Sequence, residues 1–207
     1  MVAIMTTHGG LGAPRLRRDT ARTRDKLIAA AATLLAEQGP AFSLPDLARV
    51  AGTSTATVYR HFNDVHEVLH EFHQRLADEL VVDLSAVPAT VRGRDRFEEV
   101  CRRWTRLAAG WGRAVIHIRS PIGFLTQVHS GEPVTSALYD VLAPVVSELV
   151  EDGVCPGIDL DYAVLVWVTL FDERAIIDLL DLGWSVDRLA ARLADSALRA
   201  LGARLND

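Results

Sequence analysis

The sequence predicts an all-α protein, with an N-terminal three-helix head that contains a helix-turn-helix and a larger C-terminal helical body. Three observations carry this expectation. Apolar residues recur every three or four positions through most of the chain. No stretch keeps a strand's period of two for long; "RAVIHIRS" (113–120) comes nearest, and a lone strand would have no partner. Proline and glycine punctuate the helical pattern at "SPIG", "SGEP" and "DGVCPGID". With 207 residues, 49% of them hydrophobic, the chain can bury a sizeable core.

The elements follow in order. Residues 1–18 read as a flexible arm, rich in Gly and Thr and ending in the basic cluster "RLRR". In "DTARTRDKLIAAAATLLAEQG", Leu27, Ile28, Ala31, Leu34 and Leu35 recur with a helical period, and Gly39 is a C-terminal stop. In "SLPDLARVAG", Ser43 is an N-cap with Asp46 three residues on, and Pro45 sits in the first turn, where a missing N–H costs nothing. Leu47, Val50 and Ala51 form the buried face of this short helix, and Gly52 ends it. "TSTATVYRHF" (53–62) is the third helix. Asn63 is placed to cap a fourth, "DVHEVLHEFHQRLADELVVDL". The expected division is therefore an arm at 1–18, a helix-turn-helix head at 19–63 and a helical body at 64–207.

Charge separates these parts. Residues 1–62 carry eight Arg and Lys against four Asp and Glu, a balance of +4. The remainder holds 14 against 23, a balance of −9, so the chain totals −5. An acidic body with a basic N-terminal quarter points to a polyanion engaged at one end only. No apolar run approaches the roughly 20 residues of a membrane span, and the N-terminus lacks a signal-peptide core. Cys101 and Cys155 form no metal or redox pattern and read as buried thiols. The expectation is a cytoplasmic protein without a membrane partner or cofactor. No nucleophile, metal or phosphate-loop motif appears, so an enzyme is not expected.

The third helix has an unusual distribution of bulk. Its N-terminal end is thin, and its C-terminal end is large, basic and aromatic. The second helix of a helix-turn-helix must bring its N-terminal end close to base edges in the DNA major groove. Small Ser54, Thr55, Ala56 and Thr57 allow that approach. Their hydroxyls and methyls can meet bases, phosphates or thymine methyl groups. Tyr59 and His61 then reach phosphates at the groove edge, while Val58 and Phe62 turn inward. With Ser43 and Arg60 these residues form the candidate DNA-binding set.

At this point "TRDKLIAAAATLLAEQG", "SLPDLARVAGTSTATVYRHF" and "NDVHEVL" resemble the head of the TetR-type (tetracycline-repressor) family of bacterial transcription regulators. The match covers about residues 20–70. It includes Leu27, Ile28, Ala31, Leu34, Gly39, Leu47, Ala48, Ala51, Gly52, Ser54, Thr57, Tyr59, His61 and Phe62. The resemblance implies an all-helical body, a homodimer, a double-stranded DNA operator and a small-molecule pocket that controls DNA binding. One position departs from it. The family has a phosphate-contacting lysine in the first turn of helix four, where this chain has Val65 beside Asp64. The basic residues Arg15, Arg17, Arg18, Arg22 and Arg24 are candidates to compensate.

Within the body, Trp104 and Trp111 lie seven residues apart and share a helical stripe with Phe97, Ala108 and Val115. This stripe reads equally as core packing or as a pocket wall. His117 and Arg119 interrupt the next apolar run, and Arg119 suits a forked contact to a carboxylate. Phe124, Tyr139 and Trp167 complete the candidate ligand set. The expected effector is an apolar or aromatic molecule carrying an acceptor or anionic group. Asp172, Glu173 and Arg174 break a strongly apolar stretch, as an ion network or as polar groups facing the pocket. His66, His70 and His73 share a helical face without a metal-site signature, so no metal is assigned. Leu189, Leu193, Ala197 and Leu201 recur every four residues and read as a dimer seam. The functional expectation is a ligand-responsive transcriptional regulator, a repressor released by a small molecule. The alternative is a helical small-molecule binding protein whose head no longer grips DNA.

Overall fold

The repeated apolar period produces ten α-helices and no strand among the described residues of the computed structural model, which are 13–117 and 120–203, with side chains described from residue 19 onward. The helices are α1 (Ala13–Gln38), α2 (Leu44–Val50), α3 (Thr55–Tyr59), α4 (Val65–Ser85), α5 (Gly93–Val115), α6 (Phe124–His129), α7 (Pro133–Glu151), α8 (Leu160–Leu170), α9 (Glu173–Asp181) and α10 (Val186–Ala200). They form two units, Met1–Val68 and Leu69–Asp207. The division falls five residues later than the border expected at 63/64. The first turn of α4, with fully buried Val68, belongs to the first unit.

In the first unit α1 packs on α2, and α2 packs on α3. Leu27, Ala31, Leu34 and Leu35 of α1 are buried with Leu47, Val58 and Phe62. Two expectations change here. Helix α1 begins at Ala13, inside the stretch read as a flexible arm. Arg and Leu are good helix formers, and Pro14 is tolerated in a first turn. The arm's remaining residues, 1–12, lie outside the described residues. The cap of α4 is Asp64, not Asn63: Asp64 Oδ1 accepts from Glu67 N at 2.8 Å. Asn63 instead donates its backbone N–H and its amide to Glu67 Oε2, at 2.9 and 3.0 Å.

In the second unit α5 packs on α10, α9 and α7, and α7 packs in turn on α6 and α8. The core gathers Phe97, Trp104, Val146, Trp167, Phe171 and Ile176, each at most 3% exposed. The expected dimer seam is corrected. Leu189, Leu193, Ala197 and Leu201 are all buried within this unit's own core. A four-residue apolar repeat marks a helix face that must be covered, and α5 and α8 already cover it. The membrane argument also needs a correction. Helix α7 has 19 residues and a mean hydropathy of 1.2, within the range of a span by length and composition. Its Leu142, Val145, Val146 and Leu149 are fully buried in the core of the second unit, and this buried face accounts for part of that hydropathy.

Candidate functional site

The head is built by two caps and one turn. Ser43 and Asp46 form a reciprocal capping box at the start of α2. Ser43 Oγ donates to Asp46 Oδ2 at 2.6 Å and accepts from Asp46 N at 3.3 Å. The Asp46 carboxyl is held below its ordinary pKa by these bonds from Ser43. Ser43 is thus occupied in ordering α2. The turn closes with Thr53 N donating to Ala48 O and Gly52 N to Arg49 O, while Gly52 adopts φ +63°. This is the Schellman arrangement that requires a left-handed residue, which glycine adopts without steric cost.

The turn delivers α3 with Ser54 as its N-cap, accepting from Thr57 N. The Ser54 and Thr57 hydroxyls lie 2.9 Å apart, and Arg60 Nη2 donates to Thr57 Oγ1 at 3.1 Å. Two of the four small residues, Ser54 and Thr57, are therefore engaged within the head. Thr55 and Ala56 stand exposed with no such duty, and Tyr59 is 56% exposed beyond them. Val58 and Phe62 are buried, as their inward assignment requires. Arg24 binds α1 to this end of α3: its guanidinium lies 4.7 Å from the Phe62 ring centroid, and Nη1 donates to His61 O at 3.4 Å. His61 is half-buried. Val65 is half-buried between exposed Asp64 and His66, so the first turn of α4 presents carboxylates where the family resemblance implies a lysine.

The body contains a cavity of about 490 Å³. Trp104, Leu107 and Trp111 of α5 form one wall, His73, Leu76 and Leu80 of α4 another, and Phe124 of α6 a third. Asp172 and Glu173, at the joint between α8 and α9, also line it. Phe72 steadies the Trp111 ring edge-on at 6.2 Å, and Phe171 lies 5.4 Å from Trp104. Burial pushes the His73 imidazole below its ordinary pKa, against the Glu132 and Glu173 carboxylates, which pull it upward. Glu132 is itself tied down, accepting from Thr135 N at 2.7 Å as the cap of α7.

Residues 27–72 match the family model described as bacterial regulatory proteins, tetR family. The head belongs to the TetR family. No curated protein matches the chain. Beyond the head, solved structures share the fold over most of the chain. The fatty acid degradation regulator FadR from Bacillus halodurans superposes with a TM-score of 0.68 at 18% identity, covering 88% of this chain and 97% of its own. A tetR-family protein from Rhodococcus RHA1 gives 0.67 at 17%, covering 89% and 99%. FadR from Bacillus subtilis, solved with stearoyl-CoA, gives 0.64 at 19%, covering 86% and 96%. The likeness of fold thus covers most of both units.

The body brings together only part of the expected ligand set. Trp104, Trp111 and Phe124 line the cavity. Trp167 is fully buried among Phe97, Phe171 and the Cys101 thiol and is a core residue. Tyr139 donates to Asp161 Oδ1 at 2.6 Å instead of facing the cavity. Burial and that carboxylate raise its pKa to about 12. His117 is exposed and away from the lining, and Arg119 lies outside the described residues. The α4 wall was missed, although His73, Leu76, Ala77 and Leu80 stand at i, i+3, i+4 and i+7 on one face. His66 and His70 are exposed, and no three metal-ligating side chains gather among the described residues.

Proposed function

We propose that this TetR-family protein is a cytoplasmic, homodimeric repressor released from its operator by a small molecule bound in the body. The cavity is the single observation that carries the reading. At about 490 Å³, walled by aromatics with a few polar groups, it has the size and character of a small-molecule site. Helix α4 (Val65–Ser85) includes the border between the units, and its His73, Leu76 and Leu80 line the cavity, so it would carry the effect of a bound ligand to the head. A ligand preferring one arrangement of α4 shifts DNA affinity by its differential affinity for the two arrangements. Two heads in a dimer would read half-sites one helical turn apart, roughly 34–36 Å. The exposed Thr55–Ala56 pair would read bases, while Tyr59, Arg60 and His61 would position the helix on phosphates.

The acidic first turn of α4 supports a second reading, a ligand-binding protein with a weakened head. A gel-shift titration with DNA flanking the protein's own gene decides between them. The repressor reading expects binding at least about 10³-fold tighter than to unrelated DNA. Equal affinity for both DNAs supports the second reading.

A further inference from the structure

The wall of the body cavity carries several polar side chains, and most of them are already engaged. Ser120 Oγ accepts from Ile122 N at 3.1 Å, and Gln127 Nε2 donates to Ile122 O at 2.9 Å, which orders the turn before α6. Thr169 Oγ1 donates to Leu165 O at 2.7 Å within α8. Thr135 is bonded to Glu132 through its backbone and its side chain. Asp172 and Glu173 have partners of their own. His73 differs. It stands half-buried in the α4 wall, and its imidazole makes no hydrogen bond among the described residues. Burial outweighs the pull of Glu132 at the start of α7 and of Glu173 at the start of α9, and His70 on the preceding turn of α4 acts in the same direction as burial, so the uncharged ring is favoured. An uncharged imidazole has one N–H donor and one acceptor nitrogen. A polar ring taken partly out of water is destabilising until a partner supplies those bonds. Around it Leu76, Leu80, Trp104, Leu107 and Trp111 present a largely apolar surface.

Resting on the effector reading above, we propose that His73 is the polar anchor of this cavity, hydrogen-bonding an uncharged hydroxyl or carbonyl group on an otherwise apolar or aromatic ligand. The apolar body of the ligand lies against the α4 and α5 walls. The bond is made to α4, the helix that includes the border between the units, so the ligand's polar group acts directly on that helix. A molecule of the same shape without such a group fills the same walls and leaves the imidazole unsatisfied. His73 therefore separates ligands by their hydrogen-bonding group and not by their shape.

The pair β-naphthol and β-methylnaphthalene tests this, since the two share a shape and differ in a hydroxyl against a methyl group. Each is titrated into the full-length protein by calorimetry, with His73→Leu and His73→Gln compared to wild type. The expected result for His73→Leu is at least about five-fold weaker binding of β-naphthol, the loss of one hydrogen bond, with β-methylnaphthalene unchanged within about two-fold. His73→Gln, which can still donate and accept, should retain most of the β-naphthol affinity. His73→Phe keeps a ring and replaces the leucine variant if that does not fold. Equal weakening of both molecules, or of neither, in the apolar variant overturns the anchor role and leaves the effector reading standing. A glutamine variant as weak for β-naphthol as the apolar one overturns the hydrogen bond in the same way. Binding of neither molecule by the wild-type protein overturns the proposal together with the cavity as a ligand site.

Discussion

Thr55 and Tyr59 sit one turn apart on α3, and their surroundings give them different duties. Thr55 and its neighbour Ala56 are exposed at the thin end, while Ser54 and Thr57 are bound to each other and Thr57 also to Arg60. Changing Thr55 or Ala56 should therefore alter which operator is preferred. Tyr59→Ala should weaken binding to all sequences by similar factors, because phosphate contacts position without reading bases. Selection from random DNA checks both statements: an unaltered consensus for Thr55 and Ala56 variants removes them from the reading surface. At this scale the local features were legible. The Ser43 capping box and the Gly52 turn depend on neighbours three to five residues away. The clasp of Arg24 on Phe62 and His61 was not, because it joins positions 37 and 38 residues apart.

The start of α4 poses the question of the element. Asp64 caps it and Glu67 lies in its first turn, where carboxylates suit the helix dipole and repel a DNA backbone. Val65→Lys should raise DNA affinity and steepen the log–log salt dependence by about 0.9, the slope of one added phosphate contact. An unchanged slope would place this turn away from DNA. A second element-level feature holds the start of α5 against α7. Glu148 accepts from Gly93 N at 3.0 Å and from Arg96 Nη1 at 2.6 Å. Burial acts to raise the Glu148 pKa, but these bonds outweigh it and hold it below the ordinary value. A depressed folded pKa contributes stability above the unfolded value of about 4.3, and that contribution is lost as pH falls through the folded pKa. Glu148→Gln should thus cost about 1.5–3 kcal/mol at pH 7. The gap to wild type should narrow in acid, as urea unfolding at pH 7 and near pH 3.5 would reveal. A pH-independent gap would mean that shape, not charge, joins α5 to α7.

For the whole molecule the test is whether cavity and head are separable. Trp111 is half-buried in the cavity wall, whereas Trp104 is 3% exposed and also packs on Phe171. Trp111→Ala should weaken induction at least ten-fold while leaving ligand-free operator affinity nearly intact. Trp104→Ala should also cost stability, within the roughly 3–5 kcal/mol of a large-to-small core change. Operator affinity and thermal midpoint measured together distinguish these outcomes. Loss of DNA binding in Trp111→Ala would assign that residue to the core.

By itself the sequence determined the helical class, the order of the head's helices and the surface of α3, because these follow from period, caps and a turn glycine within a few residues. It also marked α5 as the carrier of the tryptophan stripe. Only the tertiary structure decided what each apolar face meets. The Leu189–Leu201 repeat has the same period whether a second chain or α5 covers it, and here α5 and α8 do. Trp167 and Trp111 are the same residue type, yet one is sealed in the core and the other faces the cavity. The wall that faces Trp111 was hidden for the same reason: His73, Leu76 and Leu80 stand on a separate helix, α4, and a helical period does not encode which distant helix supplies the facing wall.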